Sequence, residues 1–100
     1  MQRGGTVYIL SNCLHTVLYV GVTSNIITRM QQHRNKVFRE SFTAKYNVIK
    51  LLYYEFYPTI TEAILVEKKI KAGSRKRKWQ LINSINPALD DLWEKEVCKW

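Results

Sequence analysis

Two short apolar stretches, Thr6-Val7-Tyr8-Ile9-Leu10 and Val17-Leu18-Tyr19-Val20-Gly21-Val22, decide how this chain folds. Both are rich in β-branched and aromatic residues, and Gly4-Gly5 and Ser11-Asn12 bound the first of them. Each reads as a strand. Only Ser11 to Thr16 lie between them, which suits an antiparallel hairpin. A loop symmetric about Cys13-Leu14 would set Tyr8 directly opposite Tyr19, both side chains exposed on one face of the sheet.

Thr23-Ser24-Asn25 follows with cap-type residues, so a helix is expected from about Ile26 to Arg34. On it Arg29 and His33 are four apart and share a face. Residues 34–44 show no period and read as a loop or a short helix. The run from Asn47 to Tyr57 is strongly apolar and reads as a third, buried strand, which Pro58 ends.

Thr59-Ile60-Thr61-Glu62 is a capping box. The helix it opens would turn Ile60, Ala63, Ile64 and Ile70 inward and stop at Gly73. Glu67 falls on that same stripe, where a leucine would be expected. Ser74 then caps a last helix carrying Trp79, Leu81, Ile82 and Ile85, ended by Asn86-Pro87. The pattern predicts one α/β domain over residues 1–100, with a small three-stranded antiparallel or mixed sheet flanked by helices. Its core would span about residues 6–87, and an acidic tail at 88–100 would pack loosely or form a short helix.

Composition narrows the partners. The 100 residues carry 16 Lys and Arg against 8 Asp and Glu, a net charge of +8. Residues 1–87 hold 14 of the basic and 4 of the acidic groups, net +10, and the tail is net −2. Such a positive field draws polyanions, nucleic acid first among them. No segment is apolar enough for a membrane span or a secretory leader. Two cysteines, Cys13 and Cys98, make no disulfide framework. A reduced, cytoplasmic setting without a disulfide-linked partner is therefore expected.

Paired tyrosines, an Arg–His helix face and an interrupting carboxylate each have a bland explanation. Strand tyrosines pack, Arg–His pairs are solvated, and Glu67 could pair with Arg29 or snorkel outward. No Cys/His spacing resembles a zinc site, and no Ser/His/Asp set or phosphate loop is visible. The run Arg75-Lys76-Arg77-Lys78 opens a helix, where four cations oppose the helix dipole. A polyanion contact would offset that cost.

Taken together and in order, these residues resemble the GIY-YIG endonuclease superfamily. Thr6-Val7-Tyr8 stands for its first triplet and Tyr19-Val20-Gly21 for its second. Arg29 and His33 match its first helix, and Glu67 the helix that holds its metal-binding carboxylate. Phe42 to Val48 and Asn86-Pro87 are similar to a short, single-domain bacterial branch labelled excinuclease-subunit-C-like. The sequence departs from the pattern at Thr6, in place of the first glycine, and at Val22, where excinuclease-type members carry a lysine. Asn83 is a loose match to an asparagine that often follows the metal-binding Glu.

The resemblance implies a hydrolytic endonuclease with weak sequence preference, acting on DNA rather than RNA and dependent on one Mg²⁺ or Mn²⁺. Glu67 would hold the ion, and Arg29 would clamp the phosphate oxygens. Tyr8 and Tyr19 would position the attacking water, and one of them would take its proton once its pKa is depressed. His33 would be an alternative base or would orient Tyr8. Gly21 would let backbone pass close to substrate. A cleft lined by Tyr8, Tyr19, Arg29, His33 and Glu67 would be rimmed by Lys45, Arg75, Lys76, Arg77 and Lys78, with Tyr46 also touching nucleic acid. The alternative is a module that binds nucleic acid on the same scaffold without cutting it.

Overall fold

The computed structural model describes residues 4–36 and 38–100. Three antiparallel strands, β1 (Gly5–Ser11), β2 (Leu18–Thr23) and β3 (Lys50–Tyr57), form one sheet in the order β2-β1-β3. Helix α1 covers Ile26–Arg34, α2 Phe42–Lys45, α3 Ile60–Ala72, α4 Arg75–Ile85 and α5 Leu92–Lys95, and a 3₁₀ turn runs over Val97–Lys99.

The caps read from the sequence hold the helices. Asn25 accepts from the Thr28 amide, Thr59 from Glu62 and Ser74 from Arg77, each bond 3.1 Å long. Every such bond satisfies a helix donor that would otherwise lack a partner.

The hairpin register differs from the symmetric expectation by two residues. Tyr8 lies opposite Gly21, and Tyr19 opposite Leu10. The loop is organised by Asn12, whose Oδ1 accepts from the amides of Thr16 at 2.9 Å and Val17 at 3.1 Å. This Asx-type fold of the loop delays the strand to Leu18 and moves the pairing along. A two-residue shift keeps side chains on the same face, so the two tyrosines remain neighbours, now on the diagonal.

Tyr8 is not exposed, as expected from the sequence, but completely buried. Its ring lies across Gly21, where a Cβ would come within 2.5 Å of Tyr8 Cζ and Oη and 3.0 Å of Tyr19 Cε2. The glycine makes room for a phenol.

The sheet separates two apolar layers. Tyr8 and Leu10 pack with Ile26 and Met30 of α1, Val48, Leu51, Leu92 and Val97. Val7, Ile9 and Val20 pack on the other side with Leu52, Tyr53, Ala63 of α3 and Ile82 of α4. Two expectations fail here. On α3 the inward stripe is Ala63, Val66, Glu67 and Ile70, while Ile60 and Ile64 are exposed, as is Ile85 on α4. Of the two alternatives for the acidic tail, the short helix is the one observed, as α5, and the loose packing fails: Leu92 and Val97 are buried. Its carboxylates serve the protein itself. Asp91 accepts from the Leu51 amide at 3.2 Å and pairs with Arg34 at 3.0 Å, and Tyr54 donates to Glu96.

Two substitutions test this packing by urea denaturation. Gly21→Ala overpacks the Tyr8 ring and is expected to cost about 1–3 kcal/mol. Leu92→Ala opens a cavity under the tail and is expected to cost about 2–5 kcal/mol. A loosely attached tail would instead leave Leu92→Ala near wild type.

Candidate active site

One polar chain runs inward from the surface to Tyr8. The Tyr8 hydroxyl is 3.0 Å from His33 Nε2, and His33 Nδ1 is 3.0 Å from Thr43 Oγ1. Thr43 Oγ1 lies 3.3 Å from Ser41 Oγ, the group that also caps α2 by accepting from Ala44. Helix α1 supplies His33, β1 supplies Tyr8, and the start of α2 supplies Thr43. Tyr19 completes the cluster: its ring centroid is 6.4 Å from that of Tyr8 and 5.8 Å from that of His33.

The electrostatics assign the protons. Burial pushes the Tyr8 phenol up to about 12; the charges of Tyr19 and Glu67 add to the rise, and the Arg29 guanidinium opposes it. Tyr8 therefore keeps its proton at neutral pH and can donate it to His33 Nε2 in the tautomer that leaves this nitrogen bare. Burial, reinforced by Arg29, lowers His33 to about 4. A neutral His33 with Nε2 accepting must carry its hydrogen on Nδ1, which donates to Thr43. The depressed tyrosine expected of a phenolate base is thus absent at Tyr8: burial outweighs the one nearby guanidinium.

A cleft of about 450 Å³ opens beside this chain, lined by Tyr19, Arg29, Gln32, His33, Lys36, Phe38, Ser41, Phe42 and Thr43. Tyr8 lies behind its wall, and Glu67 is not among its lining residues. Glu67 is nonetheless close enough for its charge to act on the Tyr8 hydroxyl. Its carboxylate is buried and engaged: Lys71, one turn along α3, places Nζ 2.5 Å from Glu67 Oε2. The structural pairing of Glu67 is with Lys71, not with Arg29. The Glu67 hydrogen bond raises the Lys71 ammonium pKa, and the charge of Tyr19 adds to the rise.

Of the expected nucleic-acid residues, Lys45 and Tyr46 are not among the residues lining this cleft; Tyr46 lines a separate depression with Arg34, Asn47 and Lys50. Tyr46 packs on Phe42 at 4.9 Å, and Phe42 stacks on Tyr19 at 6.3 Å. Lys45 is 3.9 Å from Glu40. The run 75–78 does not rim this cleft. Arg75 donates to the carbonyls of His15 and Thr16, pinning the hairpin loop, and Lys78 donates to the carbonyl of Gly73. Arg77 and Lys78 line a second cleft, between β3, α3 and α4. Lys76 and Arg77 remain exposed. The sequence reasoning missed Thr43, Ser41, Phe42 and Lys71. Only Lys71 left a readable signal, an i,i+4 spacing from Glu67.

Among the described residues no three His, Cys, Asp or Glu side chains gather as a metal cage. The chemistry of the donors allows a different site. A single carboxylate is a hard oxygen ligand and fits a cation such as Mg²⁺ that keeps most of its waters. Glu67 is the residue that could hold one, in exchange for Lys71. No helix among the described residues is long and apolar enough to cross a membrane.

The His33 assignment has a direct test in the ring signals of a pH titration by NMR. His33 should stay neutral until pH falls to about 4, well below the usual histidine range. Its folded pKa is depressed, so below about pH 6.5 the unfolded chain binds a proton that the native chain does not. The stabilising contribution is whole above that pH and is lost as pH falls towards 4. A normal His33 midpoint would contradict the buried pairing with Tyr8.

Comparison with known proteins identifies the family. Residues 4–83 match the model of the GIY-YIG catalytic domain. A UPF0213 protein of Clostridium perfringens is 36% identical over 91 residues, covering 91% of this chain and 95% of that protein. A UPF0213 protein of Syntrophus aciditrophicus is 36% identical over 81 residues, covering 81% and 91%. In fold, the chain is similar to the solution NMR structure of a UPF0213 protein from Bacillus halodurans. That match has a TM-score of 0.50 and 26% identity, and covers 79% of this chain and 82% of the other. With paired tyrosines on adjacent strands and an arginine and a histidine from the first helix gathered beside them, this chain belongs to the GIY-YIG catalytic domain family, a family of nucleases.

Proposed function

We propose that this protein is a divalent-metal-dependent endonuclease that hydrolyses phosphodiester bonds in DNA, with weak sequence preference. The observation that carries the reading is the Tyr8–His33–Thr43 chain ending beside a cationic cleft. A positive surface field draws the DNA. Arg29 and Lys36 line the cleft, where a phosphate group would sit. Arg29 binds two non-bridging oxygens through its planar fork and stabilises the charge that builds on them. Phe42, stacked on Tyr19 in the cleft wall, offers a ring face to the nucleotide beside it.

Water activation follows from the proton assignment. Because the Tyr8 hydroxyl is buried behind the cleft wall, substrate binding has to admit the attacking water to it; that water then loses a proton to the Tyr8 hydroxyl as Tyr8 passes its own to His33 Nε2. His33 Nδ1 keeps its hydrogen on Thr43 throughout, which fixes the ring. Bound phosphate brings negative charge that offsets the repulsion between Arg29 and a protonating His33, so the imidazole becomes a better acceptor when substrate is present. Tyr19 borders both rings and shapes the water's approach. Mg²⁺ or Mn²⁺ bound at Glu67 would act as a Lewis acid that neutralises charge on the phosphate and the leaving oxygen.

A second reading, a module that binds DNA without cutting, is favoured by one observation: Lys71 already occupies the Glu67 carboxylate. Supercoiled plasmid separates the two. Wild type with Mg²⁺ should nick it, and EDTA should stop the reaction. Glu67→Gln should retain the gel shift and lose nicking. Arg29→Ala should lower kcat/KM by an amount equivalent to about 2–4 kcal/mol. A gel shift with no metal-dependent nicking by wild type would support the binding module instead.

A further inference from the structure

Lys71 and Glu67 form an unequal pair. They sit one turn apart on α3, 2.5 Å between Nζ and Oε2, with the Glu67 side chain 9% exposed and that of Lys71 52% exposed. A carboxylate so enclosed stays ionised only at a cost unless a cation accompanies it. Lys71 supplies that cation from the outside. Its stem lies over the helix surface and its head is half in water, so it can withdraw into solvent without disturbing a packed side chain. Glu67 cannot follow. The carboxylate is fixed, and its cation is removable.

The neighbours sharpen the contrast. The groups whose charge acts on the Tyr8 hydroxyl, next to the cleft, are Glu67, Arg29 and Tyr19, so Glu67 is the acidic one among them. The cleft itself adds Lys36. A second small cation entering this region meets Arg29 already in place and must compete with a tethered ammonium for one carboxylate. The tether keeps the competitor at a high effective concentration.

We propose that Lys71 is the placeholder of a cation seat on Glu67. Its ammonium pairs with the carboxylate and keeps it aimed in the free protein, and a divalent ion binds by pushing that ammonium out into water. No covalent bond changes. The inference rests on the metal role given to Glu67 above. It adds that α3 carries its own competitor for the ion, so that metal affinity is set by Lys71 as well as by the ligand.

Mn²⁺ titrated into the full-length chain without DNA, at low ionic strength, tests this directly. Binding is read from loss of the free-ion paramagnetic resonance signal, and folding of each variant from its circular dichroism. Lys71→Met and Lys71→Gln should each bind Mn²⁺ about five- to tenfold more tightly than wild type, from the loss of one nearby positive charge. Lys71→Arg keeps that charge and should stay near wild type. Adding Glu67→Gln should abolish the gain in either background. Unchanged Mn²⁺ affinity in the folded Lys71→Met and Lys71→Gln proteins, with binding still dependent on Glu67, would overturn the placeholder and leave the nuclease reading standing. Absence of any Glu67-dependent Mn²⁺ binding in all of these proteins would overturn both.

Discussion

A phenol hydroxyl inside an apolar core must find a partner, and this requirement at Tyr8 organises the rest of the site. Leaving that hydroxyl unpaired would cost on the order of 1–3 kcal/mol. The partner is His33, brought in from α1 and held in place on its other side by Thr43. The ring itself needs the space that Gly21 leaves open on the neighbouring strand. Sheet register, first-helix placement and the fold of the 41–46 segment are thus tied to one another through a single side chain. A shift in any of them would strand a buried polar group.

The two faces of the sheet divide the work. The face bearing Tyr8 is closed by α1 and the C-terminal segment, and the opposite face by α3 and α4. Charges follow the same division. The carboxylates of the last turns are spent on Arg34, Leu51 and Tyr54, which anchors the segment and keeps those acids away from the cleft. What faces the cleft is cationic, Arg29 and Lys36, with Glu67 set back from it. An excess of positive charge over the chain becomes, at this place, a local preference for an anion.

Much of this was legible in the residues and some was not. The three strands, the approximate extent of helix α1, a cap within Thr23-Ser24-Asn25 and the caps at Thr59 and Ser74 follow from local chemistry, and the structure agrees. The register did not, because the Asn12 side chain builds a loop whose length the turn residues do not announce. The stripe on α3 was partly misread: Glu67 does turn inward as its position indicated, but Ile60 and Ile64, which look like core by type, are exposed. In the tail the short helix was legible and its burial was not, because four acids obscure Leu92 and Val97, two apolar residues with no period between them. At the site, Tyr8, Tyr19, Arg29 and His33 were found by their ordered spacing. Thr43 and Phe42 come from a segment without periodicity, and only tertiary packing brings them to the cleft. The basic run 75–78 was the plainest charge signal, yet Arg75 and Lys78 turned out to serve backbone carbonyls. Charge in a sequence does not say which cations are already occupied.

The central claim is that the Tyr8 hydroxyl lies on the path by which the attacking water loses its proton. Tyr8→Phe removes one oxygen and keeps the ring that fills the space over Gly21. Plasmid nicking in Mg²⁺, measured beside thermal unfolding and a gel shift, tests that claim most directly. The account predicts a folded variant that still binds DNA and no longer nicks it. A folded Tyr8→Phe protein that nicks at the wild-type rate would contradict it.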